Sequence, residues 1–392
     1  MNIPFNKPYK TGKELEYIQK SIESGKISGD GIYTKKCHDF FENRYGFKKC
    51  LLTTSCTDAL ELAAILIGIE AGDEVIMPSY TFVSTANAFV LRGASIVFAD
   101  SRVDHPGIDE ETLESLITPK TKAIVIVHYA GISCDMDKIK QLADRHSLFT
   151  IEDAAQAIDS YYIGKDNVKT PLGSIGHLAA FSFHETKNII SGEGGMLVIN
   201  DERFSKRAEI IREKGTNRSA FFRGEVNKYG WVDLGSSFLP SDIIAAFLFA
   251  QLENLDEIQE RRQHIWNLYK TKLQELQDAR LIKLPFVPPY STNNYHMFYL
   301  LFDNIQSRES VIKKLKEQDI LSVFHYISLH KSPFYLNSAQ SINGELVNSD
   351  YYTDCLLRLP FYVDLSDDQI SKICSVIKSV LYKSKLDKLM TS

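Results

Sequence analysis

The sequence predicts an α/β fold with a mostly parallel central sheet, followed by a smaller C-terminal α+β domain. Between about residues 50 and 200, short β-branched runs alternate with helical stretches. Continuous apolar runs between helices are typical of buried strands in a parallel sheet. After about residue 250 the pattern changes to a long charged amphipathic helix. We therefore expect a large domain over residues 1–250 and a small domain over residues 251–392.

The strands of the central sheet are predicted from runs rich in β-branched residues that lie between helical stretches. Six such runs follow one another along the chain: residues 74–77, 96–99, 123–127, 148–151, 179–183 and 196–199. In sheets of this kind, ligands bind beyond the carboxyl ends of the strands. His128 and Asp153, which come just after two of these runs, are therefore candidate site residues on topology alone.

The last third of the chain predicts a different arrangement. A long helix opens at Leu252, with apolar residues at 252, 255, 258 and 265. A strand is expected over residues 297–302, and a further helix from about Ser307. This order indicates a second α+β domain, which the long helix joins to the first.

Composition excludes several classes of protein. The chain of 392 residues has a net charge of −5, so it lacks the excess of positive charge that is typical of a nucleic-acid-binding protein. Its longest unbroken apolar run is residues 243–250, too short to cross a membrane. The N-terminus has no signal pattern, so we expect a cytoplasmic protein. The six cysteines form no CxxC pair and have no metal-ligand spacing with histidine, so we expect reduced thiols and no metal.

A capping-box pattern marks the first candidate site. Ser55 stands at a predicted helix start, with Asp58 three residues later and an apolar run behind it. Such a helix start presents free amides and a positive dipole end, which suit a phosphate group. Taken alone, the pattern also fits an ordinary capped helix.

Three further residues suggest cofactor chemistry. Asp153 follows a buried strand. A carboxylate at such a position is either a structural cap at the strand end or the partner of a cofactor's pyridinium nitrogen. Lys187 lies in a loop between two predicted core strands, where a buried ammonium is costly and a Schiff base removes the charge. Phe82 follows another strand and is either a stacking ring or a core residue. Asp153 and Lys187 are 34 residues apart, which allows them to meet over one ring.

Together these residues make the sequence resemble the fold-type I, pyridoxal phosphate (PLP)-dependent sugar-nucleotide aminotransferases of the DegT/StrS type. Within that family it is most similar to the dTDP-4-amino-4,6-dideoxygalactose transaminases. The similar segments are spread over nearly the whole chain: residues 1–8, 72–87, 127–131, 181–188, 212–219 and 324–326.

The resemblance implies roles for individual residues. Lys187 would carry PLP as a Schiff base, and Asp153 would keep the pyridine nitrogen protonated. The remaining cofactor contacts would come from Ser55, Cys56 and Thr57 at the phosphate, with help from Ser182, from Phe82 on the ring face, and from Gln156 near the 3-hydroxyl. One segment departs from the family: where many relatives carry an Asn-aromatic-Arg stretch that reaches the neighbouring subunit's phosphate, this chain has Ser237 in place of the asparagine.

The implied reaction is a transamination from L-glutamate to C4 of dTDP-4-keto-6-deoxyglucose. Its product is a dTDP-4-amino-4,6-dideoxyhexose for a surface polysaccharide such as an O-antigen. Candidate sugar-nucleotide contacts are Arg218, Arg223, His325, Tyr326 and His330, and a structural role remains an alternative for each. The family also implies a homodimer with shared active sites.

Other functions stay open at this stage. The same chemistry at C3 of an isomerised 3-keto sugar would use the same lysine and aspartate. A PLP-dependent sugar dehydratase would have histidine in place of Lys187. A PLP-fold regulatory protein without turnover is disfavoured because Lys187 and Asp153 are both present. A dinucleotide-binding sheet is the remaining alternative, but this sequence has no GxGxxG motif after the first predicted strand.

Overall fold

The computed structural model describes residues 2–337 and 344–391, with side chains as far as Lys383. The helices are α1 (Glu14–Glu23), α2 (Ile32–Tyr45), α3 (Cys56–Leu66), α4 (Val83–Val90), α5 (Leu113–Leu116), α6 (Met136–Arg145), α7 (Ser205–Arg212), α8 (Arg218–Phe222), α9 (Asp242–Leu252), α10 (Leu255–Asp278), α11 (Ile305–Lys316), α12 (Pro333–Leu336), α13 (Val347–Cys355) and α14 (Asp367–Thr391). The strands are β1 (Cys50–Thr53), β2 (Glu74–Pro78), β3 (Ser95–Ala99), β4 (Thr121–Val127), β5 (Phe149–Asp153), β6 (Tyr161–Ile163), β7 (Lys169–Pro171), β8 (Leu178–Ser182), β9 (Gly195–Ile199), β10 (Tyr299–Leu301) and β11 (Leu356–Arg358).

A seven-stranded sheet in the order β1-β9-β8-β5-β4-β2-β3 forms the centre of the molecule. The pairs β2–β3, β2–β4, β4–β5 and β5–β8 are parallel, whereas β9 runs antiparallel to β1 and β8. This architecture confirms the predicted α/β fold with a mostly parallel sheet. Each of the six predicted runs forms a strand whose bounds differ from the prediction by at most two residues.

Both faces of the sheet are buried, which explains why its strands read as continuous apolar runs. Along β4, Ile124 and Ile126 pack into the core shared with α2, α6 and α9. Their neighbours Ala123 and Val125 pack into the opposite core, shared with α3, α4 and α7. Because side chains alternate between the two faces of a strand, each residue of the run meets one apolar layer or the other.

The longest apolar run of the sequence forms the buried helix α9. Ser241 caps this helix, with its Oγ accepting a hydrogen bond from the Ile244 amide at 3.4 Å. Helix α9 packs against α1 and α2, so apolar residues on most sides of it are covered. Within the described residues, no helix is both long and apolar enough to cross a membrane.

The C-terminal part is built on helices α10, α11 and α14 and on the two-stranded antiparallel sheet of β10 and β11. Its core also contains Ile3, whose amide donates to the Asp319 carbonyl at 2.8 Å. The first residues of the chain therefore pack with its C-terminal part. The division into domains at residue 250 remains a proposal. Helix α10 contributes to two cores, because Ile258 packs into the core on the α2, α6 and α9 side of the sheet and Ile265 packs into the C-terminal core.

Candidate active site

A cavity of about 550 Å³ lies beyond the carboxyl ends of the central strands and is also lined by residues from the C-terminal part. This is where a parallel sheet is expected to bind its ligand. Ten of the residues predicted from the sequence line this cavity: Ser55, Cys56, Thr57, Phe82, Asp153, Gln156, Ser182, Lys187, His325 and Tyr326.

The N-terminus of α3 forms one wall of the cavity. The Ser55 side chain caps the helix, with its Oγ accepting from the Asp58 amide at 3.0 Å, as the capping-box pattern predicts. Gly195 of β9 lies directly behind this turn, and a Cβ at that position would come within 2.3 Å of the Ser55 carbonyl carbon. Only glycine therefore allows β9 and the helix start to approach so closely. The first amides of α3, with the positive end of its dipole, suit a phosphate.

Cys56 and Thr57 contribute to the same wall. Burial raises the pKa of the Cys56 thiol well above its usual range, which keeps the sulfur neutral and a poor nucleophile. The Thr57 hydroxyl donates to Oγ of Ser84 at 2.8 Å. Ser182 lies at the end of β8, where its Oγ accepts from the His184 amide at 3.4 Å. The chemistry of this wall is therefore hydrogen bonding through amides and hydroxyls.

Asp153 is the last residue of β5, and its carboxylate is held in one orientation. Oδ2 accepts from the Thr85 hydroxyl at 2.7 Å, and Oδ1 accepts from the Ala155 amide at 3.2 Å. Burial raises the pKa of this carboxyl, and these two hydrogen bonds and the charge of Lys187 oppose the rise. A cationic ring nitrogen in the cavity would favour the ionised carboxylate still further.

Lys187 lies in the turn between β8 and β9, where its amide donates to the His184 carbonyl at 2.9 Å. Burial lowers the pKa of its ammonium group, and the positive charge of Arg358 lowers it further. The Asp153 carboxylate acts in the opposite direction. A lowered pKa increases the fraction of neutral amine, which is the nucleophilic form.

An aromatic wall completes the cavity. The Phe82 side chain is 55% exposed, an unusual state for phenylalanine and one that leaves its ring free to stack on a flat ligand. Its ring centroid lies 6.1 Å from that of Tyr326. The Tyr326 hydroxyl accepts from Nε2 of Gln156 at 3.0 Å, and Oε1 of Gln156 accepts from the Ala130 amide at 2.6 Å. These bonds fix the orientation of the Gln156 amide in the cavity wall.

His128 also lines the cavity, as the strand topology predicts, but its imidazole already forms a hydrogen bond within the protein. Its Nε2 hydrogen-bonds Oε2 of Glu152 at 2.9 Å, and both side chains are fully buried. The Glu152 carboxylate additionally accepts from the amides of Gly173, Ile175 and Gly176. This buried network of hydrogen bonds stabilises the end of β5, which carries Asp153.

His330 lies outside the cavity, contrary to the expectation that it contacts a sugar. Its side chain is buried, and its Nδ1 hydrogen-bonds Oγ of Ser79 at 2.7 Å. Burial lowers the pKa of this imidazole, which favours a neutral ring. His330 therefore packs and forms a hydrogen bond inside the fold. His325, by contrast, faces the cavity and hydrogen-bonds the Tyr129 hydroxyl at 2.6 Å.

Three further predicted residues lie away from the cavity within this one chain. Arg218 pairs with Glu213 at 3.1 Å, and Arg223 pairs with Glu225 at 2.6 Å and with Glu209 at 2.8 Å. These ion pairs satisfy the charges of the basic residues at the two ends of α8 without a ligand. Ser237 is exposed on the surface, so any contact it makes with a cofactor would have to be in a neighbouring subunit.

Thr85 and Arg358 are among the cavity residues that were not assigned a role from the sequence. Thr85 is the third residue of α4, and only the structure shows that its hydroxyl donates to Asp153. Arg358 ends β11 and lines the cavity. The signal for it was present, because a single arginine interrupts the apolar run of residues 355–363.

Comparison with known proteins identifies the same class of enzyme. Residues 8–378 match the model of the DegT/DnrJ/EryC1/StrS aminotransferase family. The chain is 33% identical over 386 residues to the spore coat polysaccharide biosynthesis protein SpsC of Bacillus subtilis (strain 168), covering 97% of each chain. It superposes on the aminotransferase TlmJ from Streptoalloteichus hindustanus with a TM-score of 0.88 at 26% identity, over 98% of this chain and 100% of that one. For NtdA from Bacillus subtilis with bound cofactor PMP, the aminated form of PLP, the TM-score is 0.84 at 25% identity, over 97% of this chain and 85% of that one.

Proposed function

Because the chain belongs to the DegT/DnrJ/EryC1/StrS aminotransferase family, we propose that it transfers the amino group of L-glutamate to C4 of dTDP-4-keto-6-deoxyglucose. The coarser function, a PLP-dependent sugar aminotransferase, follows from the family itself. The observation that carries the proposal is that one cavity combines the Lys187 amine, the Asp153 carboxylate and the N-terminus of α3. The similarity to SpsC, a spore coat polysaccharide biosynthesis protein, supports a surface polysaccharide as the destination of the product.

The residues present fit PLP at each chemically distinct part of that molecule. The amides at the start of α3 suit its phosphate, Asp153 suits its pyridine nitrogen, and the open face of Phe82 suits its ring. Within the described residues, the Lys187 side chain lies in the cavity without a salt bridge, so its amine is available for covalent attachment. When bound, PLP supplies an electron-withdrawing ring that lets an amino group pass from a donor to a ketone.

The chain itself supplies binding and proton transfer. Asp153, oriented by Thr85 and the Ala155 amide, holds a proton on the pyridine nitrogen. Lys187, whose amine lies in the same cavity, would serve as the base that moves a proton at the carbon bearing the amino group. Its lowered pKa suits this role, because a base that stays protonated cannot accept a proton. The rings of Phe82 and Tyr326 give one side of the cavity an apolar surface.

We expect amination at C4, because the segments most similar to C4-acting relatives line the cavity, among them His325 and Tyr326. Chemistry at C3 or C4 is the same exchange, so the site of amination depends on how the sugar is held, and a misplacement of about 1 Å can cost on the order of 100-fold in rate. The test supplies glutamate with dTDP-4-keto-6-deoxyglucose or with its 3-keto isomer. The product is then analysed by mass spectrometry and NMR, which also gives the configuration of the new amine.

Preferential turnover of the 3-keto isomer, with nitrogen on C3, would overturn the substrate assignment and leave the PLP chemistry intact. A protein that binds PLP but aminates neither sugar, and does not convert PLP to its aminated form with glutamate, would instead support a regulatory function.

We also propose that the enzyme is a homodimer in which each site is completed by the partner subunit. Residues 222–234, which begin at the last residue of α8, expose several large apolar side chains, which is unusual on a monomer surface. Trp231 is 84% exposed and Phe222 69% exposed. Ser237 and the basic segment of residues 216–223, which the structure shows to be mostly helix α8, adjoin this surface in the chain. Burial of this surface in a dimer would bring those polar residues towards the partner's cavity.

Replacing Trp231 with glutamate should weaken the dimer and lower activity in parallel, because a charge would have to be buried in the interface. Sedimentation velocity and turnover, measured over the same range of protein concentration, check this. The matched control is Leu15→Glu, since Leu15 is 80% exposed on α1 and should tolerate the charge. A wild-type monomer that is fully active at nanomolar concentration would refute the shared site.

A further inference from the structure

His296 lines the cavity, and the fold uses only one of its two ring nitrogens. The residue is 6% exposed, and its Nδ1 hydrogen-bonds Oδ1 of Asn188 at 2.8 Å. Asn188 is the residue that follows Lys187. Among the described residues, Nε2 of His296 has no hydrogen-bond partner, although it is not one of the polar atoms that are sealed from solvent. This second nitrogen is therefore open to the cavity.

Asn188 decides which nitrogen of His296 carries the proton. Its Nδ2 lies 2.8 Å from the Asn294 carbonyl oxygen and 2.9 Å from Oε1 of Gln259, and it donates to both. A backbone carbonyl can only accept, so the Asn188 amide cannot be reversed, and its Oδ1 faces His296. Because that oxygen also only accepts, Nδ1 of His296 carries the proton. A neutral imidazole has a single N–H, which leaves a lone pair on Nε2.

The surroundings keep the His296 ring neutral. Burial lowers the pKa of its imidazole well below the usual value, and the charges of Lys187, Arg262 and Arg358 lower it further. Its partner is the amide of Asn188, which lacks the negative charge with which a carboxylate would favour an imidazolium. The ring therefore presents the cavity with a hydrogen-bond acceptor and not with a donor.

The acceptor is also held in a rigid frame. The Asn294 side chain donates through Nδ2 to the carbonyls of Gln156 and Ile158, at 2.8 Å and 2.7 Å. Its Oδ1 accepts from the His296 amide at 3.1 Å. Gly131 leaves room for this side chain, since a Cβ there would overlap Oδ1 of Asn294. The position and direction of the Nε2 lone pair are therefore set before any ligand binds.

An acceptor at this place distinguishes the two substrates of the proposed reaction. His296 lies close enough to Lys187 for the ammonium charge to lower its pKa, so it is near the expected reacting carbon. A keto sugar has a hydroxyl on the carbon next to its carbonyl, and that hydroxyl can donate. The carboxylates of glutamate can only accept, so a lone pair does not attract them.

We propose that His296 selects the keto sugar by accepting a hydrogen bond from the hydroxyl next to its carbonyl, and that Asn188 is the positioning residue that fixes this acceptor. The inference rests on the proposed aminotransferase function and names a feature by which the acceptor substrate is recognised. A sugar without this hydroxyl would leave a desolvated acceptor unpaired, so it should be a poor substrate.

The protonation of His296 is tested by NMR of the imidazole nitrogens, in full-length PLP-free protein whose histidines are isotopically labelled. At neutral pH, Nδ1 of His296 should carry a proton and Nε2 should not. The signals are assigned by their absence from His296→Asn. In Asn188→Asp the carboxylate should favour a ring protonated on both nitrogens. A proton on Nε2 in the wild type would overturn the proposal.

The recognition of the hydroxyl is tested in the PLP-loaded protein, where cofactor absorbance follows the glutamate and sugar half-reactions separately. His296→Asn keeps an amide nitrogen where Nδ1 stands and removes Nε2. Its kcat/KM for the keto sugar should fall on the order of tenfold, as expected for one lost hydrogen bond, and the glutamate half-reaction should change by less than about threefold. With the analogue that lacks the hydroxyl, the wild type should lose about tenfold and the variant nothing more.

The matched control is His146→Asn, because His146 is exposed at the end of α6 and both half-reactions should be unchanged. If His296→Asn does not fold, Asn188→Asp gives the same comparison, since its imidazolium offers the sugar a donor in place of the acceptor. An equal loss in both half-reactions would overturn the proposal, and so would a further loss of the variant with the analogue. The sugar used is whichever keto isomer the wild type aminates, so an error in the C4 assignment leaves the test valid. A wild type that aminates neither isomer contradicts the proposed function instead, before any variant is compared.

Discussion

Replacing Lys187 with alanine should reduce turnover on the order of 10⁴-fold or more, because the variant loses both the attachment point for PLP and the base beside the reacting carbon. The fold should persist. Within the described residues, the Lys187 side chain forms no salt bridge, and the pKa of its ammonium is already lowered by burial, so its removal leaves no partner unsatisfied. Non-covalent binding of PLP should also persist, since the α3 amides and Asp153 remain.

Three measurements check this expectation: kcat for the complete reaction, circular dichroism for the fold, and retention of PLP after gel filtration. Lys165→Ala is a matched control, because Lys165 is an exposed lysine of another loop and its loss should leave kcat unchanged. Activity of Lys187→Ala above one-tenth of the wild-type value would remove Lys187 from the mechanism.

Replacing Asp153 with asparagine should cost roughly 100-fold or more in kcat. The asparagine amide cannot hold a proton on the pyridine nitrogen, and a hydrogen bond between charged groups is about twice as strong as one between neutral groups. Stability should not fall in the PLP-free protein. Burial raises the pKa of the Asp153 carboxyl above its usual value, so the ionised form is disfavoured in the folded state, and removing the charge relieves that cost.

Thermal unfolding of the PLP-free protein at neutral pH, alongside kcat of the loaded enzyme, checks both parts of the Asp153→Asn prediction. The companion variant Thr85→Val removes the hydroxyl that donates to Oδ2 at 2.7 Å and keeps the charge of Asp153, so its loss of activity should be much smaller. Near-wild-type transamination by Asp153→Asn would assign Asp153 a structural role.

The fold was largely predictable because its strands are buried on both faces. Runs such as residues 123–127 are short, rich in β-branched residues and apolar throughout, which is the pattern expected of a strand buried on both faces. Strand direction was not predictable. The run that forms β9 resembles its parallel neighbours, yet β9 is antiparallel because the turn carrying Lys187 returns the chain beside β8. The inclusion of Ile3 in the C-terminal core was also hidden, since it depends on a contact 317 residues away in the chain, with Ile320.

The site was predictable where its residues follow strand ends or cap a helix, as Ser55 and Asp153 do. It was not predictable where the contact is made by a side chain whose local sequence is ordinary. His330 looks like a polar residue of a loop, but the fold buries it against Ser79. Arg358 differs, because its charge stands out in an apolar run, but the reason for that charge is seen only once the cavity is known.

The position of the covalent bond to PLP tests the assignment of Lys187 and of this cavity directly. The purified protein, loaded with PLP, is reduced with borohydride, digested and analysed by peptide mass spectrometry. We predict that the protein is yellow before reduction and that the pyridoxyl group is found on the peptide containing Lys187. A pyridoxyl group on any other lysine, or no covalent adduct from protein that retains PLP, would contradict the assignment of this cavity as the catalytic centre.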